Sequence, residues 1–200
     1  MIIGIYLAAG KSSRMGSDKL ALPFGSGSLG SAALHTALQS NLDKVILVTK
    51  DVGQLQWVHS TVWVNEKLVH IKCEKAEEGQ AESIKCGLKV AQLYKATSVI
   101  ILLADQPLIE KEQIDYLIFL AKRNSPSYIA CSFNEIARPP VLFHSKLFSK
   151  IAQLQGDQGA RKIIREDPSG LKIEYQNERQ FLDVDTSSDY EKIKKIIQLR

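Results

Sequence analysis

The sequence predicts a single α/β domain, residues 1–200, built on a doubly wound, mostly parallel sheet. Two observations carry this. Short β-branched runs alternate with stretches whose apolar residues recur every three or four positions, as strands alternating with helices do. At 200 residues, 44% hydrophobic and 24% charged, with no low-complexity stretch, the composition is that of one ordinary globular unit.

The first strand is predicted over Ile2 to Leu7, an unbroken apolar run. A helix over Ser31 to Ser40 follows, then strands over Lys44 to Thr49 and Val69 to Cys73. The helix over Ala81 to Tyr94 leads to a strand over Ser98 to Ala104. The helix over Glu110 to Arg123 leads to a strand over Tyr128 to Ser132. A helix over Ser145 to Gln153, a strand over Leu171 to Tyr175 and a helix over Ser188 to Leu199 complete the pattern. In that last helix Tyr190, Ile193 and Ile197 share one face and Glu191, Lys194, Lys195 and Gln198 lie elsewhere, which packs one side against a sheet. The Gly/Ser stretch Gly25 to Ser31 is too short to separate domains.

Several classes of function are excluded. No apolar run approaches the roughly 18 residues that cross a bilayer, and the start lacks a charged segment followed by a cleavable apolar one. A cytoplasmic protein without a membrane partner is expected. Cys73, Cys86 and Cys131 are odd in number and form no Cys-x-x-Cys pair, so they read as reduced, separately packed thiols. A net charge of +4 without a concentrated basic run argues against nucleic acid and suits a nucleotide. His35, His59, His70 and His144 show no metal-ligand spacing, and no Ser-His-Asp pattern is present.

In a doubly wound sheet ligands lie beyond the carboxyl ends of the strands, and five stretches occupy such positions. The first is Leu7-Ala8-Ala9-Gly10, followed by Lys11, Arg14 and Lys19. It is not a P-loop, because the glycine that should stand five positions before Gly10-Lys11-Ser12 is Ile5. Small side chains there let a nucleotide approach the backbone, with cations to balance phosphate charge. The competing reading is a tight turn with solvated cations. The second, Asp105-Gln106-Pro107, places a carboxylate where it can hold Mg²⁺ against phosphates, or cap the helix that starts near Glu110. The third, Glu78-Gly79-Gln80-Ala81-Glu82-Ser83, opens a helix whose amides and Ser83 hydroxyl can grip ribose or base, or serve as the helix's own cap. The fourth, Gly156-Asp157-Gln158-Gly159-Ala160-Arg161, contains an arginine that a plain turn into a helix does not ask for. In the fifth, Asp183-Val184-Asp185-Thr186, Asp185 is either a second metal carboxylate returning to Asp105 or the cap of the last helix.

Together these stretches resemble the MobA-like nucleotidyltransferases, and more closely their molybdenum cofactor cytidylyltransferase and purine-catabolism branch. The elements stand in order from Ile3 to the last helix: Leu-Ala-Ala-Gly-x-Ser-x-Arg-Met-Gly-x-x-Lys, Gly-x-x-x-Ser, Asp-Gln-Pro, Pro-Val-Leu-Phe, Gly-Asp-x-Gly-Ala-Arg and Asp-x-Asp-Thr-x-x-Asp-Tyr. The resemblance implies a Rossmann-like fold of the nucleotide-diphospho-sugar transferase type. It implies transfer of CMP from CTP to molybdopterin with release of pyrophosphate, serving an apo-hydroxylase of the xanthine dehydrogenase kind. By the same resemblance Leu7, Ala8, Ala9 and Gly10 receive the base and ribose, and Arg14 and Lys19 stand beside the triphosphate. Gly79 and Ser83 form the second nucleotide loop, and Asp105 and Asp185 hold Mg²⁺. Asp157 and Arg161 either bind the acceptor or only shape its loop. Alanine at position 9 accompanies cytidylyl rather than guanylyl transfer.

Two segments depart from the family pattern. Phe24 to Gly30 lacks the usual Gly-x-Pro-Leu-like segment, which predicts a looser approach to the first helix. Arg138-Pro139-Pro140 replaces Gly-His-Pro, placing a cation where the family has glycine and histidine. The other readings are a different nucleotide or a sugar or alcohol phosphate acceptor, and a non-catalytic protein that delivers finished cofactor.

Overall fold

The computed structural model describes residues 1–10, 18–51 and 55–198. Its centre is a seven-stranded sheet. In chain order the strands of the molecule are β1 (Ile2–Leu7), β2 (Pro23–Phe24), β3 (Gly27–Ser28), β4 (Lys44–Thr49), β5 (Leu68–Lys72), β6 (Ser98–Leu103), β7 (Tyr128–Phe133), β8 (Ile136–His144) and β9 (Leu171–Glu174). The helices are α1 (Leu29–Gln39), α2 (Gln80–Leu93), α3 (Lys111–Asn124), α4 (Phe148–Ile151), α5 (Arg161–Glu166) and α6 (Ser187–Gln198). The central sheet has the order β5-β4-β1-β6-β8-β7-β9. All its pairings are parallel except those of β8, which runs against both β6 and β7.

Both faces are covered, which is why the inner strands read as continuous apolar runs and not as alternations. Tyr6, Leu47, Ile100 and Leu102 point to one face, where Leu34, Ile114, Leu117 and Ile193 from α1, α3 and α6 pack on them. Ile3, Ile5, Val48 and Ile101 point to the other, against Ile84 and Leu88 of α2, Ile151 of α4 and Ile163 of α5. The face proposed for the last helix is the one buried, with Ile193 in the core and Tyr190 and Ile197 packed against it. Among the described residues no helix is long and apolar enough to cross a membrane.

Three local expectations are corrected. The first helix starts at Leu29 rather than Ser31, because Ser28 and Ser31 form a capping box in which each hydroxyl accepts from the other's backbone N–H. Phe24 to Gly30 is therefore not a loose loop: Gly25 turns in the left-handed region at φ +57°, and β2 and β3 pair on either side of it. The helix predicted over Ser145 to Gln153 is a 3₁₀ turn followed by the single turn α4, with Leu147, Phe148 and Ile151 buried. Strand β8 is not among the strands the pattern predicts, because two prolines stand inside its run. Opposite β7, Ala130 faces Val141 and Cys131 faces Arg138, so Pro139 and Pro140 fall in a bulge where no ladder hydrogen bond is required of them.

Candidate active site

Strands β1 and β6 lie side by side in parallel register, Leu7 opposite Leu103, and the Ala104 amide donates to the Leu7 carbonyl at 3.1 Å. The loops leaving these two strands therefore emerge together, at the point where the chain winds to opposite sides of β1. Leu7, Ala8, Gly10, Lys19, Leu20, Ala104 and Asp105 line one recess there. Ala9 does not: its side chain is buried in the apolar core with Leu7, so only its backbone is left for a ligand. Arg14 lies outside the described residues.

One lysine pairs with two carboxylates at this recess. The Lys19 ammonium donates to Asp105 Oδ2 at 2.9 Å, to the Val184 carbonyl at 2.9 Å and to Asp185 Oδ1 at 3.1 Å. Burial alone would depress the Lys19 pKa, but attraction from Asp105 and Asp185 outweighs it and holds the ammonium above its ordinary value. The chain is fixed around this cluster by the Val184 amide, which donates to the Asp105 carbonyl at 2.9 Å.

Both carboxylates are released from the capping duties that competed for them. Helix α3 is capped by Glu110 and Gln113, whose side chains and backbone amides exchange hydrogen bonds, and not by Asp105. Thr186 and Asp189 cap α6: the Asp189 amide donates to Thr186 Oγ1 at 3.2 Å, and the Thr186 amide to Asp189 Oδ2 at 2.8 Å. Asp185 is left to face Lys19. Two hard oxygen donors converging on one cation position suit Mg²⁺, which keeps several waters and takes further ligands from substrate phosphates. Among the described residues no group of three His, Cys, Asp or Glu has metal-holding geometry, so an ion here depends on substrate oxygens as well.

Two residues of this region carried no assigned role, although both stand in stretches the sequence singles out. Asp183, two positions before Asp185, is pushed up to about 6, first by burial and then by the negative charge of Asp105. Gln106, only 2% exposed, donates from Nε2 to Asp183 Oδ1 at 2.7 Å and fixes it. The Asp-x-Asp pattern was the available signal for Asp183. Because its folded pKa lies above the unfolded value of about 3.9, Asp183 costs stability increasingly as pH rises from about 4, the cost is complete above about pH 6, and it vanishes below about pH 4. Asp183→Asn is expected to raise Tm at pH 7.5 in chelator by roughly 2–6 °C. The gain should disappear by pH 4 in the same thermal melts.

The remaining predicted residues line a second space. A cavity of about 950 Å³ beyond β6 and β8 is bordered by Gln106, Arg138, Asp157, Arg161, Arg165 and Asp183, among others. Gln106 and Asp183 connect it to the Lys19 cluster, so the two spaces adjoin. Asp157 and Arg161 are brought together there, on the loop before α5 and at its first residue. Gly79 and Ser83 belong to the start of α2. Ser83 is 4% exposed, and Gly79 sits at φ +129° with Gly156 against it. A Cβ on Gly79 would meet the Gly156 carbonyl at 2.3 Å, so glycine here lets the cavity loop close on α2, where the Ala81 amide donates to the Gly156 carbonyl. Gly79→Ala is expected to cost about 3 kcal/mol through strain and clash, read as a Tm loss of roughly 6–12 °C.

Comparisons with known proteins place the chain in a family and a fold. The MobA-like NTP transferase domain model matches residues 4–172. The purine catabolism protein PucB of Bacillus subtilis (strain 168) is 35% identical over 201 residues, covering 97% of this chain and 96% of its own length. Rv0371c of Mycobacterium tuberculosis H37Rv superposes with a TM-score of 0.79 at 25% identity, covering 96% of both chains. Rv0371c in complex with manganese superposes with a TM-score of 0.75 at 23% identity, over 96% of this chain and 97% of its own.

Proposed function

The chain belongs to the MobA-like NTP transferase family and is a nucleotidyltransferase, and we propose that it transfers CMP from CTP to the terminal phosphate of molybdopterin with release of pyrophosphate. The observation that supports this reading is the Lys19 ammonium held between Asp105 and Asp185 where β1 and β6 end, beside a recess that Ala8, Gly10 and Ala104 help to line. Leu7, Ala8, Ala9 and Gly10 offer backbone to base and ribose, with Gly79 and Ser83 at the neighbouring helix start. Arg14 and Lys19 carry positive charge to the triphosphate.

In the step itself an oxygen of the acceptor phosphate bonds to the α-phosphorus of CTP as the bond from that phosphorus to the bridging oxygen of pyrophosphate breaks. Attacking and leaving groups are all anionic, so the protein's task is in-line positioning and charge neutralisation, with no protein nucleophile. Asp105 and Asp185 would hold Mg²⁺, which when bound neutralises phosphate charge and orients the phosphates. Lys19, which donates to both carboxylates here, would yield those oxygens to the ion and turn its fixed positive charge to the phosphates. Asp157 and Arg161 face the acceptor across the larger cavity.

The likeness to PucB supports a role in purine catabolism. Within this reading the protein acts in the cytoplasm as one domain, residues 1–200, with an apo-hydroxylase of the xanthine dehydrogenase kind as client. The manganese complex of Rv0371c supports a divalent ion. The test is product analysis by mass spectrometry after incubation with CTP, molybdopterin and Mg²⁺. Molybdopterin cytosine dinucleotide is expected, absent when a chelator is added and restored by excess Mg²⁺ or Mn²⁺. Formation of the dinucleotide in chelator would remove the metal from the account.

A further inference from the structure

The large cavity carries more positive charge than its neighbours neutralise, and one of its cations differs from the rest. Arg161 and Arg165 are exposed on α5, where solvent satisfies them. Arg138 is different: its Nε is buried and has no hydrogen-bond partner among the described residues. A buried guanidinium N–H without an acceptor is costly, and protein interiors rarely leave one so. The backbone explains how it comes to be there. Arg138 pairs with Cys131 at the edge of the β8 bulge, and the two bulged prolines separate it from the regular ladder that resumes at Val141. Bulges re-aim side chains in this way beside functional sites.

Its position relative to the catalytic cluster is also defined. Arg138, Gln106 and Asp183 line the same cavity, and Gln106 and Asp183 stand next in sequence or next but one to Asp105 and Asp185, which hold Lys19. A group bound at Arg138 therefore lies in the cavity that adjoins the Lys19, Asp105 and Asp185 constellation.

We propose that Arg138 is the anchor of the acceptor phosphate, its guanidinium turning into the cavity it lines so that the N–H fork takes two oxygens of a phosphomonoester whose body fills that cavity. This rests on the nucleotidyl-transfer reading, which needs a phosphate nucleophile next to the α-phosphorus. A guanidinium suits the task better than an ammonium, because its planar fork fixes the orientation of the phosphate as well as its charge. Orientation is what an in-line displacement between two anions most requires. Arg138 forms and breaks no covalent bond: it holds the acceptor while the new phosphorus–oxygen bond forms and pyrophosphate leaves.

Inorganic phosphate is the probe, measured by ³¹P line broadening and thermal shift on the full chain without nucleotide or added metal. Wild-type protein is expected to bind it, with affinity reduced at least about tenfold in Arg138→Gln, which lacks the charged fork. Arg138→Lys, which keeps the charge without the fork, is expected to lose about fivefold. With CTP and molybdopterin, KM for the acceptor should rise at least about tenfold in Arg138→Gln while KM for CTP stays within about twofold, a split that a merely structural residue would not give. Undiminished phosphate affinity in a folded Arg138→Gln protein overturns the proposal. Should that variant not fold, undiminished affinity in Arg138→Lys overturns it equally. Phosphate binding that depends on Arg138, without transfer to molybdopterin, keeps the anchor and removes molybdopterin as the acceptor.

Discussion

Asp105→Asn is expected to lower turnover by at least about a thousandfold while the protein stays folded, with Tm within about 3 °C of wild type. The fold survives because Lys19 keeps the Val184 carbonyl and Asp185, and because an asparagine Oδ1 can still accept from the ammonium. Turnover does not, because an amide oxygen lacks the charge that holds a divalent ion against a triphosphate. Steady-state rates beside circular dichroism and thermal melts separate the two effects. A folded variant working within tenfold of wild type would remove Asp105 from the metal site.

Lys19→Met has the second large expected effect, and it falls on both activity and stability. Three acceptors converge on this ammonium, and its removal takes from Asp105 and Asp185 the cation they share. Breaking such a half-buried arrangement by deleting one partner should cost about 1–3 kcal/mol, a Tm loss of roughly 2–10 °C. Loss of a fixed positive charge beside the triphosphate should reduce kcat by about a hundred- to a thousandfold. The pH dependence follows from the raised Lys19 pKa. Stability from this ammonium is fully present below its unfolded value of about 10.4 and is lost only as pH rises through the higher folded value. At pH 6–8 the wild-type contribution is therefore constant, and the Tm difference between wild type and Lys19→Met should be flat across that range. A difference that varies strongly there would contradict the assignment of Lys19 as a permanent cation.

The parts of the molecule that were legible in the sequence are those where burial and periodicity agree. Strand β1 is buried on both faces, so its apolar run could not be mistaken, and α6 buries the face its pattern presents. Strand β8 was hidden because two prolines stand inside it, and only the register opposite β7 shows them sitting in a bulge. The start of α1 slipped by two residues because the cap is a reciprocal Ser28–Ser31 pair, whose hydrogen bonds are invisible in a string of glycines and serines.

The site divides in the same way. Lys19 and Asp105 are 86 positions apart and Lys19 and Asp185 166 apart, so nothing local links them; each was found from its own stretch and its family resemblance, and the topology brings them within hydrogen-bonding distance. Asp183 was passed over although its neighbour was chosen, since its significance lies in burial beside Asp105 and a bond from Gln106 rather than in its spacing. Gly79 was read through the nucleotide, while its positive φ and its contact with Gly156 give it an additional task in closing the cavity loop on α2.

The most direct measurement is pyrophosphate release by the purified protein with Mg²⁺ and molybdenum-loaded molybdopterin, comparing CTP, GTP, ATP and UTP. The account predicts release with CTP that requires the pterin and is lost in Asp105→Asn. Release that prefers another nucleotide would contradict cytidylyl transfer, and absence of release with all four from folded protein would contradict molybdopterin as the acceptor.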